Sequence, residues 1–360
     1  MLKKILTFAC VALIGVQAAE ACTGIVRKAN NGDIVFARTL EFGANVIPFK
    51  LSYVPRGISY TGSTPSGKPG LQWNTKYAHV GFTPYDLKIM IDGVNEKGLA
   101  SGGFYFPGWA DYQKVSPQDS NVISNLDFVS YLLGNFATVK EVREALKNVK
   151  VAGVMFSAWG IVPGIHYIVV DASGDRIVVE YVKGELNVYE APLDTITNAP
   201  TYAWHSTNAR NYIGLKALNQ PSISINGDEL SSFGQGSGAL GLPGDFTPPS
   251  RFIRASFFRA TVLPGKNNLE EIVIAFKILN QFDIPLGAVK EMRDNKPVYE
   301  ETQWTSAADL AGKRYYFHTY DSRLIRLIDL NKMDPNAKEI TTLKVDAPET
   351  FTDLSTKLKG

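Results

Sequence analysis

Cysteine is almost missing from this sequence: its 360 residues hold two, Cys10 and Cys22. Histidine is nearly as scarce, with four scattered copies, His79, His166, His205 and His318. None stands in a triad or metal-ligand spacing, and neither H-E-x-x-H nor C-x-x-C occurs, so no metal and no cofactor is implied. An excess of one charge is also lacking. Lys and Arg number 37 against 35 Asp and Glu, for a net +2, and no basic block or stripe argues for nucleic acid. Beyond the first residues no apolar run is long enough to span a bilayer, so no membrane span is expected. What remains is an ordinary globular balance, 45% hydrophobic and 20% charged, enough for one large domain or two modest ones.

The start of the chain has its own character. Lys3 and Lys4 precede an apolar run at residues 5–16, and Ala19-Glu20-Ala21 places small residues where a signal peptidase reads. Residues 1–21 therefore read as a secretory signal peptide, which puts the protein in the periplasm or outside the cell. Cys10 leaves with that segment. The mature chain then begins at Cys22, its one cysteine, with no intramolecular disulfide available to it.

A cysteine at the first mature position has three readings. In a lipoprotein it carries the lipid anchor, and the chain would be an anchored, non-catalytic binding protein. The charged Glu20 fits a lipoprotein signal badly. A lipoprotein also tends to follow its cysteine with a flexible Ser/Gly tether, whereas here residues 23–29 read as a strand, 30–33 as a tight turn and 34–42 as the returning strand. A buried, inert thiol suits a chain terminus poorly. The third reading is catalytic. A thiol and an α-amine on one residue make a nucleophile with its own base, because the amine titrates at about 7.7–8.0 and the thiol at about 8.5. Such an arrangement needs no histidine.

Further along, residues 121–133 read as a helix, and Thr138-Val139-Lys140-Glu141 is a capping box opening a helix to about residue 149. Strands follow at 165–170, 176–182 and 185–190. Residues 251–262 and 268–282 read as a second helix pair, and strands return from about 297. Helix pairs alternating with antiparallel strands suggest an α+β fold of stacked sheets with helices outside. No internal repeat or linker divides the chain, so residues 22–360 read as one domain. Gly236-Ser237-Gly238-Ala239-Leu240-Gly241 matches G-x-G-x-x-G, but it follows no clear strand and Leu242-Pro243-Gly244 stands where a helix should open. It does not read as a nucleotide site.

Several ordered motifs resemble the choloylglycine hydrolase and penicillin V acylase family: Cys22-Thr23-Gly24, Arg38-Thr39-Leu40-Glu41, DGVNEKGLASGGFYFP at 92–107, TNAP at 197–200 with Trp204-His205, and the stretch 234–252 ending in Ser250-Arg251-Phe252. The likeness covers nearly all of the mature chain. It implies a four-layer αββα N-terminal nucleophile hydrolase sandwich that cleaves linear amides without a metal and is often a homotetramer. It also implies site roles: Cys22 as nucleophile, Arg38 beside its sulfur, Asn198 as side-chain donor to the oxyanion, and Arg251 as a brace. Asn95, in the N-E-K-G segment, reads as a structural turn residue. Glu41 departs from the Asp that many members use to hold the terminal amine. Tyr105 departs from the Asn usual in bile-salt-cleaving members and agrees with penicillin V acylases, its backbone N–H completing the oxyanion hole. Its neighbours Phe104, Phe106 and Trp109, with Phe156 and Trp159, are candidate walls of an acyl pocket. The expected substrate is a small-molecule acyl amide of the penicillin V or N-acyl homoserine lactone type, with conjugated bile salts as the alternative. Protein secreted in a bacterial host should have the intact mass of residues 22–360 with an unmodified Cys22; a mass increased by a diacylglycerol would establish the anchored reading instead.

Overall fold

The computed structural model describes residues 21–43, 47–293 and 295–358. The segment read as a signal peptide lies outside the described residues, apart from Ala21. The first hairpin forms where its alternation and turn chemistry place it. Cys22–Lys28 and Ile34–Gly43 pair antiparallel with Cys22 opposite Leu40. The turn closes by Gly32 N donating to Ala29 O, with Gly32 at φ 96°, a conformation glycine adopts without penalty.

Alternation along the second strand decides the layers. Ile34, Phe36 and Leu40 join one buried apolar cluster, and Val35 and Ala37 join another on the opposite face. The outer cluster packs against the helices Pro248–Thr261 and Asn268–Leu279 through Ala255, Ile272, Ala275 and Leu279. The inner cluster faces a second sheet and takes in Phe82, Val94, Phe104, Ile168 and Val178. On the far side of that sheet, Tyr167, Val169 and Val179 meet Phe128, Leu132 and Val142 of two more helices. The result is helix, sheet, sheet, helix, the four-layer αββα sandwich.

The first sheet runs Thr195–Ile196, Cys22–Lys28, Ile34–Gly43, Lys296–Asp309, Arg314–Thr319, Ser322–Asp329, with Val289–Arg293 also paired to Lys296–Asp309. The second runs Glu185–Tyr189, Arg176–Val182, Ile165–Val170, Ala100–Tyr105, Asp92–Asn95, His79–Pro84, Phe49–Val54, Thr341–Lys344. The expected meander at 165–190 is there almost residue for residue.

One expectation fails. Residues 121–133 are not a single helix: Val122–Ser124 is a strand parallel to Lys150–Ala152, and the helix is Phe128–Asn135. Ser124 N and Oγ both donate to Asp127 Oδ2, which also accepts from Ser63 N. That local bonding and the distant strand partner outweigh the helical pattern. The following helix, Val139–Leu146, opens as its sequence indicates, with Thr138 Oγ1 accepting from Glu141 N at 3.2 Å. Asn95 is also a turn residue: its side chain accepts from Lys97 N and Leu99 N and donates to Leu133 O and Phe136 O.

The inner layer explains why glycine follows Cys22 and Thr23. A Cβ on Gly24 would lie 2.7 Å from Phe104 Cζ and 2.8 Å from Ile196 Cγ2. The missing side chain is the space into which the Phe104 ring fits. Gly24→Ala should therefore lower stability by about 1–3 kcal/mol through overpacking, read as a lower urea midpoint with unchanged m-value. An unchanged midpoint would mean that the two sheets separate freely at this position.

Candidate active site

Cys22 is buried at the head of the first strand, 4% exposed. Its nitrogen, here the peptide nitrogen joining it to Ala21, donates to Asn198 Oδ1 at 2.8 Å. The same oxygen accepts from Arg251 Nη2 at 2.7 Å. Arg251 Nη1 donates to Cys22 O and to Thr23 Oγ1, and its Nε to Phe246 O. One guanidinium thus fixes the cysteine's carbonyl, its neighbour's hydroxyl and the amide of Asn198. Asn198 Nδ2 donates to Tyr105 O at 2.9 Å, which orients the amide and leaves its second N–H outside that bond. Asn198 O accepts from His205 Nε2 at 3.0 Å. Burial pushes His205 down to about 4, so the ring is neutral near pH 7 and acts as a donor that holds the loop.

Arg38 stands opposite Gly24 on the neighbouring strand, and Glu41 follows three residues later. Arg38 is fully buried between the sheets, its guanidinium over Phe104 at 4.2 Å and Trp304 at 5.2 Å. Nη1 donates to Gly103 O at 2.6 Å and Nε to Thr39 O at 3.2 Å. Glu41 is also buried. Thr302 Oγ1 donates to its Oε1, whereas Oε2 has no hydrogen-bond partner among the described residues. Burial pushes its carboxyl up to about 8, against the pull of Arg251 and Arg38 and of hydroxyls from Thr39 and Thr302.

A cavity opens on one side of Cys22, lined by Cys22, Glu41, Phe104, Tyr105, Phe156 and Trp159 together with aliphatic residues. Its rim is aromatic: Phe42 stacks on Trp159 at 5.1 Å, Phe156 meets Trp159 edge-on at 5.1 Å, and Trp159 Nε1 donates to Tyr85 OH at 3.2 Å. Two of the expected wall residues lie elsewhere. Phe106 does not line the cavity because it stacks flat on His166 at 4.3 Å. Trp109 does not line it either and is 42% exposed. Phe42 and Tyr85 were missed in the sequence. Phe42 adjoins Glu41 on one strand, a signal within reach, but Tyr85 comes from a distant loop and had none.

A buried cysteine at a strand head, braced by arginine and asparagine between two antiparallel sheets with outer helices, defines the N-terminal nucleophile hydrolase class. Residues 22–343 match the model of the linear amide C–N hydrolases, choloylglycine hydrolase family. The chain belongs to that family and is a hydrolase of linear amides. It is 33% identical over 329 residues to the bile salt hydrolase/transferase of Clostridium perfringens, covering 90% of this chain and 96% of that protein. It is 26% identical over 356 residues to the penicillin V acylase of Pectobacterium atrosepticum, covering 92% and 87%. A solved variant of the conjugated bile acid hydrolase from Clostridium perfringens superposes with a TM-score of 0.82 at 32% identity, over 93% of this chain and all of that one.

The raised Glu41 carboxyl has a consequence for stability. Between its ordinary 4.5 and about 8 the folded chain holds a proton that the unfolded chain has released. The Glu41 contribution is therefore fullest below pH 4.5 and declines as pH rises through 8. Glu41→Gln, which mimics the protonated side chain, should flatten the fall in unfolding free energy over this window when the uncleaved chain is titrated with urea at several pH values. An unaltered slope would assign the titration to other groups.

Proposed function

We propose that the chain is an exported acyl-amide hydrolase of one domain, matured by cleavage after Ala21, with Cys22 as nucleophile and its new α-amine as base. The thiol proton passes to the amine as sulfur attacks the substrate carbonyl. The oxyanion accepts from the second Nδ2–H of Asn198 and the backbone N–H of Tyr105. The substrate amine leaves with the proton held by the α-amine, and water then releases the acid from the thioester. Glu41 steadies the terminal amine, and Arg38 favours the thiolate. The family match beginning at residue 22 supports this maturation. In an assembly a second copy would cover the exposed arm: Phe233, Leu240 and the whole hairpin Ile223–Ile225 with Asp228–Leu230 face solvent in one chain. This fits a homotetramer, which sedimentation of the mature protein would read.

The observation that carries the substrate reading is the apolar, aromatic-rimmed cavity beside Cys22. Away from Cys22 and Glu41, the polar groups Asn125 and Tyr167 on its wall are already engaged. Asn125 donates to Pro163 O and accepts from Val154 N, and Tyr167 OH donates to Asn125 O. Steroid hydroxyls would enter with few partners, and an unpaired buried hydroxyl is unfavourable. A flexible or flat acyl chain gains about 0.8 kcal/mol for each buried CH₂. Aryl-acetyl and fatty-acyl amides, such as penicillin V and N-acyl homoserine lactones, are the substrates this wall suits. The bile-salt reading has the 33% identity to the Clostridium perfringens enzyme in its favour. Measuring kcat/KM of the mature protein on penicillin V, a long-chain acyl homoserine lactone and glycocholate, with Cys22→Ala as the blank, separates them. The first two should be the better substrates, and Cys22→Ala should be silent on all three. A clear preference for glycocholate would select the bile-salt reading, and activity in Cys22→Ala would remove Cys22 as nucleophile.

A further inference from the structure

A second cleft, richer in charged groups than the acyl cavity, reaches Ala21 beside Cys22. Its charged and polar lining is Asn198, Thr247, Arg251, Lys290, Glu291 and Glu300, and Ala21, which the proposed cleavage removes, also lies on its wall. Asn198 joins the two spaces, because it bonds both Cys22 N and Tyr105 O, and Tyr105 lines the acyl cavity. An amide whose acyl group filled the first cavity could extend its nitrogen substituent toward the second.

The charges of this cleft are unevenly available. Arg251 is buried and spends its N–H groups on Phe246 O, Cys22 O, Thr23 Oγ1 and Asn198 Oδ1. Lys290 sits on the exposed strand Val289–Arg293 and is open to water. Glu300 is 3% exposed, and its Oε1 has no hydrogen-bond partner among the described residues. Its strand position is set by pairing with Gly43 on one side and Val289 on the other, so the carboxyl is held at the cleft wall.

Resting on the acyl-amide reading above, we propose that this cleft is the leaving-amine subsite and that Glu300 sets its specificity. It selects amines that are neutral or carry a donor or cation there, over amines that carry a carboxylate or sulfonate. A buried carboxylate with an unused oxygen is satisfied by a donor and repels an anion at close range. Burial pushes Glu300 up to about 7, with Arg251 pulling it down and Glu291 pushing it up. The repulsion therefore grows as pH rises through neutrality, whereas a glycine carboxylate, with an α-carboxyl near about 3.3–3.7, stays ionised throughout.

Matched substrates test this: phenoxyacetyl-glycine against phenoxyacetyl-glycinamide, and cholyl-glycine against cholyl-glycinamide, with kcat/KM measured on the mature protein from pH 6 to 8.5. Within each acyl pair the amide should be preferred by about tenfold or more at the upper end, and the ratio should climb through pH 7. Taking a ratio cancels the titration of the nucleophile. In Glu300→Gln the ratio should fall close to one and lose its pH dependence, and in Glu300→Asp the preference should persist. A wild-type ratio near one, a ratio that does not rise with pH, or a preference that survives in Glu300→Gln overturns the assignment. Which acyl group is faster tests the acyl preference separately. Hydrolysis of none of the four would remove the acyl-amide reading and this proposal with it.

Discussion

The buried Arg251 guanidinium is the interaction on which the rest of the site depends. It comes from the helix Pro248–Thr261, more than two hundred residues after Cys22, and bonds the cysteine's own carbonyl, Thr23 and Asn198. A fully buried cation is expensive unless its donors are met and a negative group lies near. Here four acceptors meet it, and Glu41, Glu300 and Asp245 supply negative potential. Removing the brace would release the strand head, the Asn198 loop and the start of the helix together, because one planar group carries all three. Lysine has one point of charge and could not span the same set of acceptors.

The two-sheet architecture gives that brace its rigidity. Cys22 heads a strand one in from the edge of its sheet, with the short strand Thr195–Ile196 on one side and Ile34–Gly43 on the other. Its neighbours along the strand alternate between the outer helices, as Ile25 does, and the inner layer, as Val26 does. Arg38 reaches the inner layer by the same alternation and is clamped between Phe104 of one sheet and Trp304 of the other. Gly24 and Gly102 provide the closeness, since a side chain at either would press on Phe104. The surroundings of Cys22 are thus set by groups whose rotamers are fixed by the hydrophobic core.

Much of this was legible in the sequence wherever the signal was local. The opening hairpin, the meander at 165–190, the Thr138 cap and the turn at Asn95 each follow from turn chemistry and periodicity within a dozen residues. Motif order singles out Cys22, Arg38, Glu41, Asn198 and Arg251 as candidates. What brings them together is strand pairing and side-chain hydrogen bonding across as many as 229 positions, which no window of sequence carries. The failures have the same origin. Within 121–133, Val122–Ser124 forms a strand because it pairs with Lys150–Ala152. Phe106 and Trp109 were placed in the acyl wall by adjacency to Tyr105, but the chain turns after the strand Ala100–Tyr105, and Phe106 packs on His166 instead. Tyr85 and Glu300 carried no motif at all.

The carboxylates connect architecture to maturation. In the uncleaved chain, Glu41 and Glu300 are both buried, both hold an oxygen without a hydrogen bond among the described residues, and both are pushed up in pKa by loss of solvent. The nitrogen of Cys22 is then a neutral amide and offers neither carboxyl a positive charge. On the maturation proposed above, cleavage after Ala21 converts that nitrogen into an amine able to carry a positive charge. A cation placed there would lower the Glu41 carboxyl toward its ordinary range, and in return its negative potential would raise the amine's affinity for the thiol proton. The sandwich would thus fold around a charge that it does not yet contain, and the same cut that exposes the nucleophile would supply it.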